Sequence, residues 1–206
     1  MKYIDLSHKI DDGIPVYPGD IEVSLVKVKS ILTDKYNAYT FSSSLHAGTH
    51  IDCPMHLLQN NSTIAEYPLA CFVGKGYLID ARGENEIDYK ADYDHQIQKG
   101  DIVLIITETD NAYGKDDYYN KHPVITERLA DFLVSQEIKM LGVDMPSPDF
   151  PPFPVHKLLL SNGIFIIENL TNLKQLLNIE CFEVFAQPLK IYAEASFTRA
   201  FARCLD

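Results

Sequence analysis

Gly100-Asp101-Ile102-Val103-Leu104-Ile105-Ile106 sets the architecture. A glycine–acid turn opens into five consecutive apolar residues, most of them β-branched. Such a run suits a strand buried on both faces, because a sheet with one wet face alternates apolar and polar residues instead. Upstream, Phe72 to Asp80 is a second strand-like stretch, broken by Gly74 and Gly76. Downstream, Thr126 is placed to cap a helix running to Gln136, with Leu129, Phe132 and Leu133 at helical spacing. Lys139 to Val143 and Ile164 to Ile167 read as short strands. Between them lies a loop with Pro146, Pro148, Pro151, Pro152 and Pro154, which cannot sit inside a sheet. Val155 to Asn162 reads as a helical turn or two, stopped by Gly163. Further out, Tyr3 to Ile10, the alternating Ile21, Val23 and Leu25, and Ala38 to Leu45 are strand-like. Leu170 to Leu177 reads as helical, and Phe182 to Gln187 and Phe197 to Cys204 as closing strands. Strands outnumber helices and the two are interspersed, which predicts a mixed α/β domain.

The chain has 206 residues, the size of one domain spanning 1–206. A chain of this length buries about 70% of its unfolded surface and needs no disulfide or metal merely to fold. Eighteen Lys and Arg stand against 29 Asp and Glu, a net charge of −11. That balance argues against nucleic acid or an anionic membrane surface as the main partner. No apolar run reaches the ~20 residues of a membrane span. The opening Met-Lys-Tyr-Ile-Asp-Leu-Ser-His carries no signal-peptide pattern, so the cytoplasm is the expected compartment. Cys53, Cys71, Cys181 and Cys204 form no CxxC pair and read as reduced thiols.

Chemistry concentrates in His46-Ala-Gly-Thr-His50-Ile-Asp52-Cys-Pro-Met-His56, where three of the seven histidines and an aspartate fall within eleven residues. Neutral imidazole with carboxylate is the donor set of Zn²⁺, also used by Mn²⁺, Fe²⁺ and Co²⁺. Gly48 and Pro54 disfavour a helix here. Full extension fails too: at ~3.3 Å per residue, His46 and His50 would stand about 13 Å apart, too far to share an ion. The backbone must therefore curl over Ala47-Gly48-Thr49, which Gly48 permits. His50 and Asp52, two apart in extended chain, face the same way and can chelate together. Pro54 then turns the chain and can bring His56 back toward the site. Cys53 falls in the opposite register and reads as packing. Three protein ligands with an open position have the character of a catalytic metal site. His8, His95 and His122 lack ligand-like neighbours and read as surface or capping residues. Glu168 closes the apolar run that starts at Ile164, and a carboxylate there must be paired, ligated or exposed at a rim. His156 follows the proline-dense loop, twelve residues earlier.

HAGTHIDCPMH resembles HxGTHxDxPxH, the signature of the cyclase family of metal-dependent hydrolases, which includes bacterial kynurenine formamidases and isatin hydrolases. Other stretches agree along most of the chain. Ile14-Pro-Val-Tyr17-Pro-Gly-Asp20 resembles the family's PVWPGD-type loop, and Lys99 to Thr107 its GDIVLIRT-type strand. His122-Pro123 is similar to its HP element. Gly142-Val-Asp144-Met-Pro-Ser147-Pro-Asp149, followed by His156 and Glu168-Asn-Leu, resembles its GVDxxSxD…H…ExL region.

The resemblance implies a swivelling β/β/α domain, a mixed sheet flanked by helices. It implies a divalent metal centre of one or two ions per chain, zinc first and manganese the alternative. The ligands it assigns are His46, His50, Asp52, His156 and Glu168, with Asp52 and Glu168 shared. His56 becomes the general acid/base, and Tyr17 a substrate-binding wall where the kynurenine formamidase pattern has Trp. Two further departures bear on the substrate. The tail from Pro188 to Ala200 lacks the glycine-rich GGDGSPVRA-type turn, and the segment from Asp110 to Tyr119 carries Tyr where Trp is common. The implied activity is arylformamidase-like hydrolysis of an amide, formamide or cyclic amide C–N bond in a small molecule, by a homodimer or tetramer. The alternatives are lactone or isatin-type ring opening, a cyclase or dehydratase reaction on the same centre, and, more distantly, a non-catalytic metal or small-ligand binder.

Overall fold

The computed structural model describes residues 1–59 and 61–205. In chain order the strands are β1 (Tyr3–Asp5), β2 (Ser24–Lys29), β3 (Ala38–Ser42), β4 (His50–Asp52), β5 (Val73–Asp80), β6 (Glu86–Ile87) and β7 (Ile102–Ile106). They continue with β8 (Val124–Ile125), β9 (Met140–Val143), β10 (Phe165–Glu168), β11 (Phe182–Phe185), β12 (Ala195–Phe197) and β13 (Phe201–Cys204). The helices are α1 (Ile31–Asp34), α2 (Glu127–Ser135) and α3 (Pro154–Ser161).

Nine strands form one mixed sheet in the order β1-β13-β11-β5-β7-β9-β10-β4-β12. Its centre, β5-β7-β9-β10, is parallel. The flanking strands pair antiparallel. As the apolar run requires, all five residues of β7 are buried. Alternate residues feed two cores. Ile102, Leu104, Ile167, Val184 and Ala202 point into one. Val103, Ile105, Ile166 and Leu141 point into the other, where Leu129 and Leu133 of α2 and Val155 and Leu159 of α3 cover them.

The sheet is curled. β12 lies at one edge and β13 next to the other, yet only Thr198, Arg199 and Ala200 join them. Four residue steps span at most about 14 Å. The two edges must therefore approach one another, and Leu6 N–H donates to the Ala200 carbonyl (2.9 Å) while Ser7 bridges to Leu170. The first core fills the inside of the curl, and α2 and α3 lie on its outer face. Phe197 to Cys204, expected as one strand, is thus two strands and a corner. The expected helix over 170–177 is a short 3₁₀ turn at Leu173–Leu176. Thr126 caps α2 as expected, its hydroxyl accepting the Leu129 N–H. Among the described residues no helix is long and apolar enough to cross a membrane.

Candidate metal centre

Gly48 makes the bend that the histidine spacing demands, at φ +60°. Asn169, which follows β10 and is itself at φ +55°, holds that bend. Its amide donates to the Gly48 carbonyl (3.1 Å), and its own carbonyl accepts the Thr49 hydroxyl (2.6 Å). The Tyr118 hydroxyl in turn donates to the Asn169 side-chain oxygen (2.7 Å). The Gly48 carbonyl also faces Nδ1 of His50 at 2.8 Å. A carbonyl only accepts, so the proton sits on Nδ1 and the Nε2 lone pair is left free.

From the bend the chain enters β4, which pairs with β10 so that His50 opposes Glu168 and Asp52 opposes Ile166. Opposed residues share a face of the sheet. His50, Asp52 and Glu168 therefore emerge together on the outer face, the face that α3 covers. His156 is the α3 residue that meets them. Asp149 orients it: one carboxylate oxygen lies 2.5 Å from His156 Nδ1, and the other accepts the Val155 N–H (2.7 Å) at the start of α3. This buried carboxylate caps the helix and leaves His156 Nε2 facing the cluster.

The resulting geometry has two overlapping halves. His46, His50 and Asp52 form one set and Asp52, His156 and Glu168 another, the donor atoms in each lying within 4.8 Å of one another. Asp52 Oδ1 is 3.0 Å from His46 Nδ1 and 3.6 Å from His50 Nε2, while Oδ2 is 4.0 Å from His156 Nε2. The two Glu168 oxygens lie 3.3 Å from His50 Nε2 and 3.0 Å from His156 Nε2. Three donor atoms in this cluster, His50 Nε2 and both oxygens of Asp52, are buried without a hydrogen-bond partner. Leaving a carboxylate so exposed to low dielectric is costly unless a cation satisfies it. The donor set, two imidazoles with a carboxylate on one side and one imidazole with two carboxylates on the other, fits a divalent ion of the Zn²⁺ or Mn²⁺ type.

Charge follows the geometry. Burial would push the His46 imidazole down, but the Asp52 carboxylate outweighs it and lifts the pKa to about 9. Burial also opposes the charge on His156, and its contacts with Asp149 and Glu168 raise it to about 10. Asp52 and Glu168 are pushed up by burial, yet the imidazoles around them hold both below the usual carboxylate range. His46 and His156 thus carry protons at neutral pH in chelated protein, and an entering ion has to displace them. Both folded pKa values lie above the ordinary 6.5, so metal affinity is expected to rise with pH up to about 9, about tenfold per pH unit for each proton displaced. The same sign makes the chelated protein lose stability progressively as pH climbs from about 6.5, the loss being complete above the folded values of about 9 and about 10. Calorimetric titration in buffers of different ionisation enthalpy counts the released protons, and affinity flat from pH 6.5 to 9 would contradict the assignment.

Above the cluster opens a cavity of about 230 Å³ lined by Tyr17, His46, His56, Tyr119, Phe153 and His156, among others. His56 arrives on the 3₁₀ turn Pro54–His56, its ring centroid 4.3 Å from that of His46 and 6.3 Å from that of His156. It belongs to neither donor set found among the described residues. Burial lowers its pKa, so the ring is neutral at pH 7. Tyr17 stands edge-on to Tyr119, with centroids 5.7 Å apart. The structure thus gathers all seven residues singled out from sequence around one cavity and its floor. Cys53 packs in the inner core. His122 differs from expectation: it is buried and stacked on Phe150 at 4.2 Å.

Sequence reasoning gave no role to Asp149, Asn169 or Glu194. Asp149 had a signal, an acid ahead of a helix that starts at Pro154. Asn169 had a weaker one, a residue tolerant of positive φ after a buried strand. Glu194, whose carboxylate lies 3.5 Å from His46 Nε2, enters from the chain just before β12 and had none.

Comparison with known proteins finds relatives along nearly the whole chain. A kynurenine formamidase of Erythrobacter litoralis is 30% identical over 97% of this chain and 92% of its own. A solved structure described as a potential metal-dependent hydrolase with cyclase activity is 28% identical, with TM-score 0.78 and 98% of each chain covered. Isatin hydrolase A from Labrenzia aggregata shares the fold, with TM-score 0.88 at 24% identity, over 100% of this chain and 94% of that one. The Cyclase family model matches residues 4–150, a span that holds the bent ligand loop, strands β5, β7 and β9 and the Asp149 cap, and the chain belongs to that family.

Proposed function

We propose that this chain is a metal-dependent hydrolase of a non-peptide C–N bond in a small molecule, with an aryl formamide as the leading substrate class. The observation that carries this reading is Asp52, wholly buried, with neither oxygen hydrogen-bonded and a share in both donor sets. A carboxylate so placed has a use only beside a cation. His46, His50, Asp52, His156 and Glu168 are the residues that would hold it, zinc first and manganese the alternative, as one or two ions. A divalent ion bound there supplies Lewis acidity and a lowered pKa for water, which neutral-pH hydrolysis requires.

The chain's own residues do the rest. Asp149 and the Gly48 carbonyl fix the imidazole tautomers of His156 and His50. His56, neutral and facing the cavity, accepts a proton at a ring nitrogen and returns it to the departing nitrogen. Tyr17, Tyr119 and Phe153 present flat apolar walls suited to an aromatic ring and exclude water from it.

The kynurenine formamidase similarity supports formamide cleavage. The same walls suit a planar lactam, so isatin-type ring opening is the second reading. Metal analysis with a panel of an aryl formamide, a lactam and a lactone, each with and without chelator, separates them. Formamide turnover abolished by chelation and restored by zinc or manganese is expected. Activity indifferent to chelation would remove the proposal.

One domain over 1–206, a homodimer and the cytoplasm complete the reading. The β2–β3 hairpin leaves Val26, Val28, Tyr39 and Phe41 exposed, which supports association of two copies. Four cysteines without a disulfide among them support a reducing compartment.

A further inference from the structure

We infer that His46 meets the metal through Nδ1, the opposite ring nitrogen to the one His50 and His156 offer, and that Glu194 is the positioning residue that keeps the proton on His46 Nε2. This rests on the metal-centre reading above and assigns an atom and a residue within it.

Two of the three imidazoles in the cluster have their tautomer fixed at Nδ1. The Gly48 carbonyl does this for His50 and the Asp149 carboxylate for His156, and each leaves Nε2 to the cluster. His46 is turned the other way. Its Nδ1 lies 3.0 Å from Asp52 Oδ1, yet that oxygen accepts no hydrogen bond. The two atoms therefore stand side by side and are not aimed at each other. Donors held at ~2.0–2.1 Å on one tetrahedral ion stand roughly 3.3 Å apart, so this spacing suits two ligands of a single cation. Nε2 is on the far side of the ring, 3.5 Å from Glu194 Oε1. The lone-pair directions of the two ring nitrogens diverge, so an ion seated at Nε2 would forgo both Asp52 and His50. Only Nδ1 can share an ion with them.

Glu194 is built to hold the other nitrogen. It precedes β12, whose Ala195 opposes Asp52 across the ladder with β4. Its carbonyl accepts the Cys53 N–H (3.0 Å), and the carbonyl of Ala193 accepts the Ile64 N–H (2.9 Å). The backbone is thus tied to the end of the ligand strand on one side and to the following turn on the other. Glu194 belongs to neither donor set, and among the described residues its carboxylate pairs with His46 and with no Lys or Arg. Its side chain is 38% exposed, so it has the freedom to close on an Nε2–H, and its replacement buries no orphaned group. It does not line the cavity. A carboxylate that accepts the second N–H of a ligating imidazole fixes the ring and makes it a stronger donor. Each imidazole then has one outer partner, a carbonyl for His50, a buried carboxylate for His156 and a rim carboxylate for His46.

The test uses protein with isotope-labelled histidine, loaded with zinc. Long-range proton–nitrogen correlation spectra tell a protonated ring nitrogen from one without a proton. The wild-type spectrum is expected to show the proton of His46 on Nε2 and those of His50 and His156 on Nδ1. Glu194→Ala is expected to lose the His46 Nε2–H signal to exchange with water and to bind zinc about tenfold or more weakly, within the ~10–100-fold that an outer partner is worth. Glu194→Gln, which keeps an acceptor oxygen, should recover most of the signal and of the affinity. KM for an aryl formamide should hold in both variants, so that any loss of rate at limiting zinc falls on kcat. A His46 proton on Nδ1 in the zinc-loaded protein, or a Glu194→Ala protein with zinc affinity and Nε2–H signal unchanged, overturns the inference and leaves the metal centre standing. Zinc that alters no imidazole signal removes the metal centre and this assignment together.

Discussion

Asp52→Asn is expected to give a folded protein that has lost its bound metal and its turnover together. The substitution keeps the shape of the side chain and removes its charge at the point the two donor sets share. With 0% exposure, Asp52 has no water to take the place of a partner. It sits 3.0 Å from one imidazole, 3.6 Å from a second and 4.0 Å from a third. An amide at this position offers one acceptor instead of two and turns an N–H₂ on one half of the cluster. Loss of an outer partner costs ~10–100-fold in metal affinity, and loss of this central carboxylate should exceed that. The fold survives because the charge balance can relax. Asp52 is the main group that holds the proton on His46 against burial, so without it the His46 pKa falls and the ring can shed its charge. Metal content after dialysis against zinc or manganese, a thermal melt with and without the ion, and turnover of an aryl formamide are the measurements. Full metal occupancy in the variant would show that the cation is held elsewhere.

The sequence made the centre of this molecule readable and its edges unreadable, for reasons visible in the structure. The run from Ile102 to Ile106 could be recognised because a central parallel strand is covered on both sides, so each position favours an apolar residue. The three-residue β4 left no such trace. Two of its residues are donors to the cluster, and hydrophobic period has no meaning over three positions. Ile21, Val23 and Leu25 alternate, yet the strand is Ser24–Lys29. Val23 is buried as an anchor outside it, whereas the hairpin shows mostly exposed positions and touches the main sheet through Phe41 against Phe197. Phe197 to Cys204 reads as one strand because nothing in the residues marks the corner where the curl closes. In the site, the curl at Gly48 and the shared face of His50 and Asp52 followed from chain geometry alone. His156 and Glu168 did not, because their place beside Asp52 depends on β10 pairing with β4 and α3 lying over both. Resemblance to a family supplied them. Asp149 and Glu194 act through contacts between distant segments, and their neighbours in sequence give little away.

His56→Ala should separate the acid/base residue from the metal ligands. The variant is expected to keep its metal and to lose turnover by ~10²–10⁴-fold, the usual worth of a positioned general acid/base. Proximity alone would make it a ligand, since its ring is nearer to that of His46 than the His50 ring is, at 4.3 Å against 5.0 Å. The distinction lies in the carboxylates. Asp52 and Glu168 gather His46, His50 and His156 around them at 3.0 to 4.0 Å, whereas no ion pair of His56 with either is found. Its ring lines the cavity, where a leaving nitrogen has to pass. Burial lowers its pKa from the ordinary 6.5, so the proton-accepting form predominates at neutral pH. Wild-type activity should therefore fall on the acid side below 6.5, and that limb should vanish in His56→Ala. KM should change little, because the loss is of an interaction made in the transition state. Added imidazole, small enough for the space the ring leaves, should restore part of the rate without altering metal content. If the ion departs with the side chain, His56 is a ligand, and the proton must be handled by another group in the cavity.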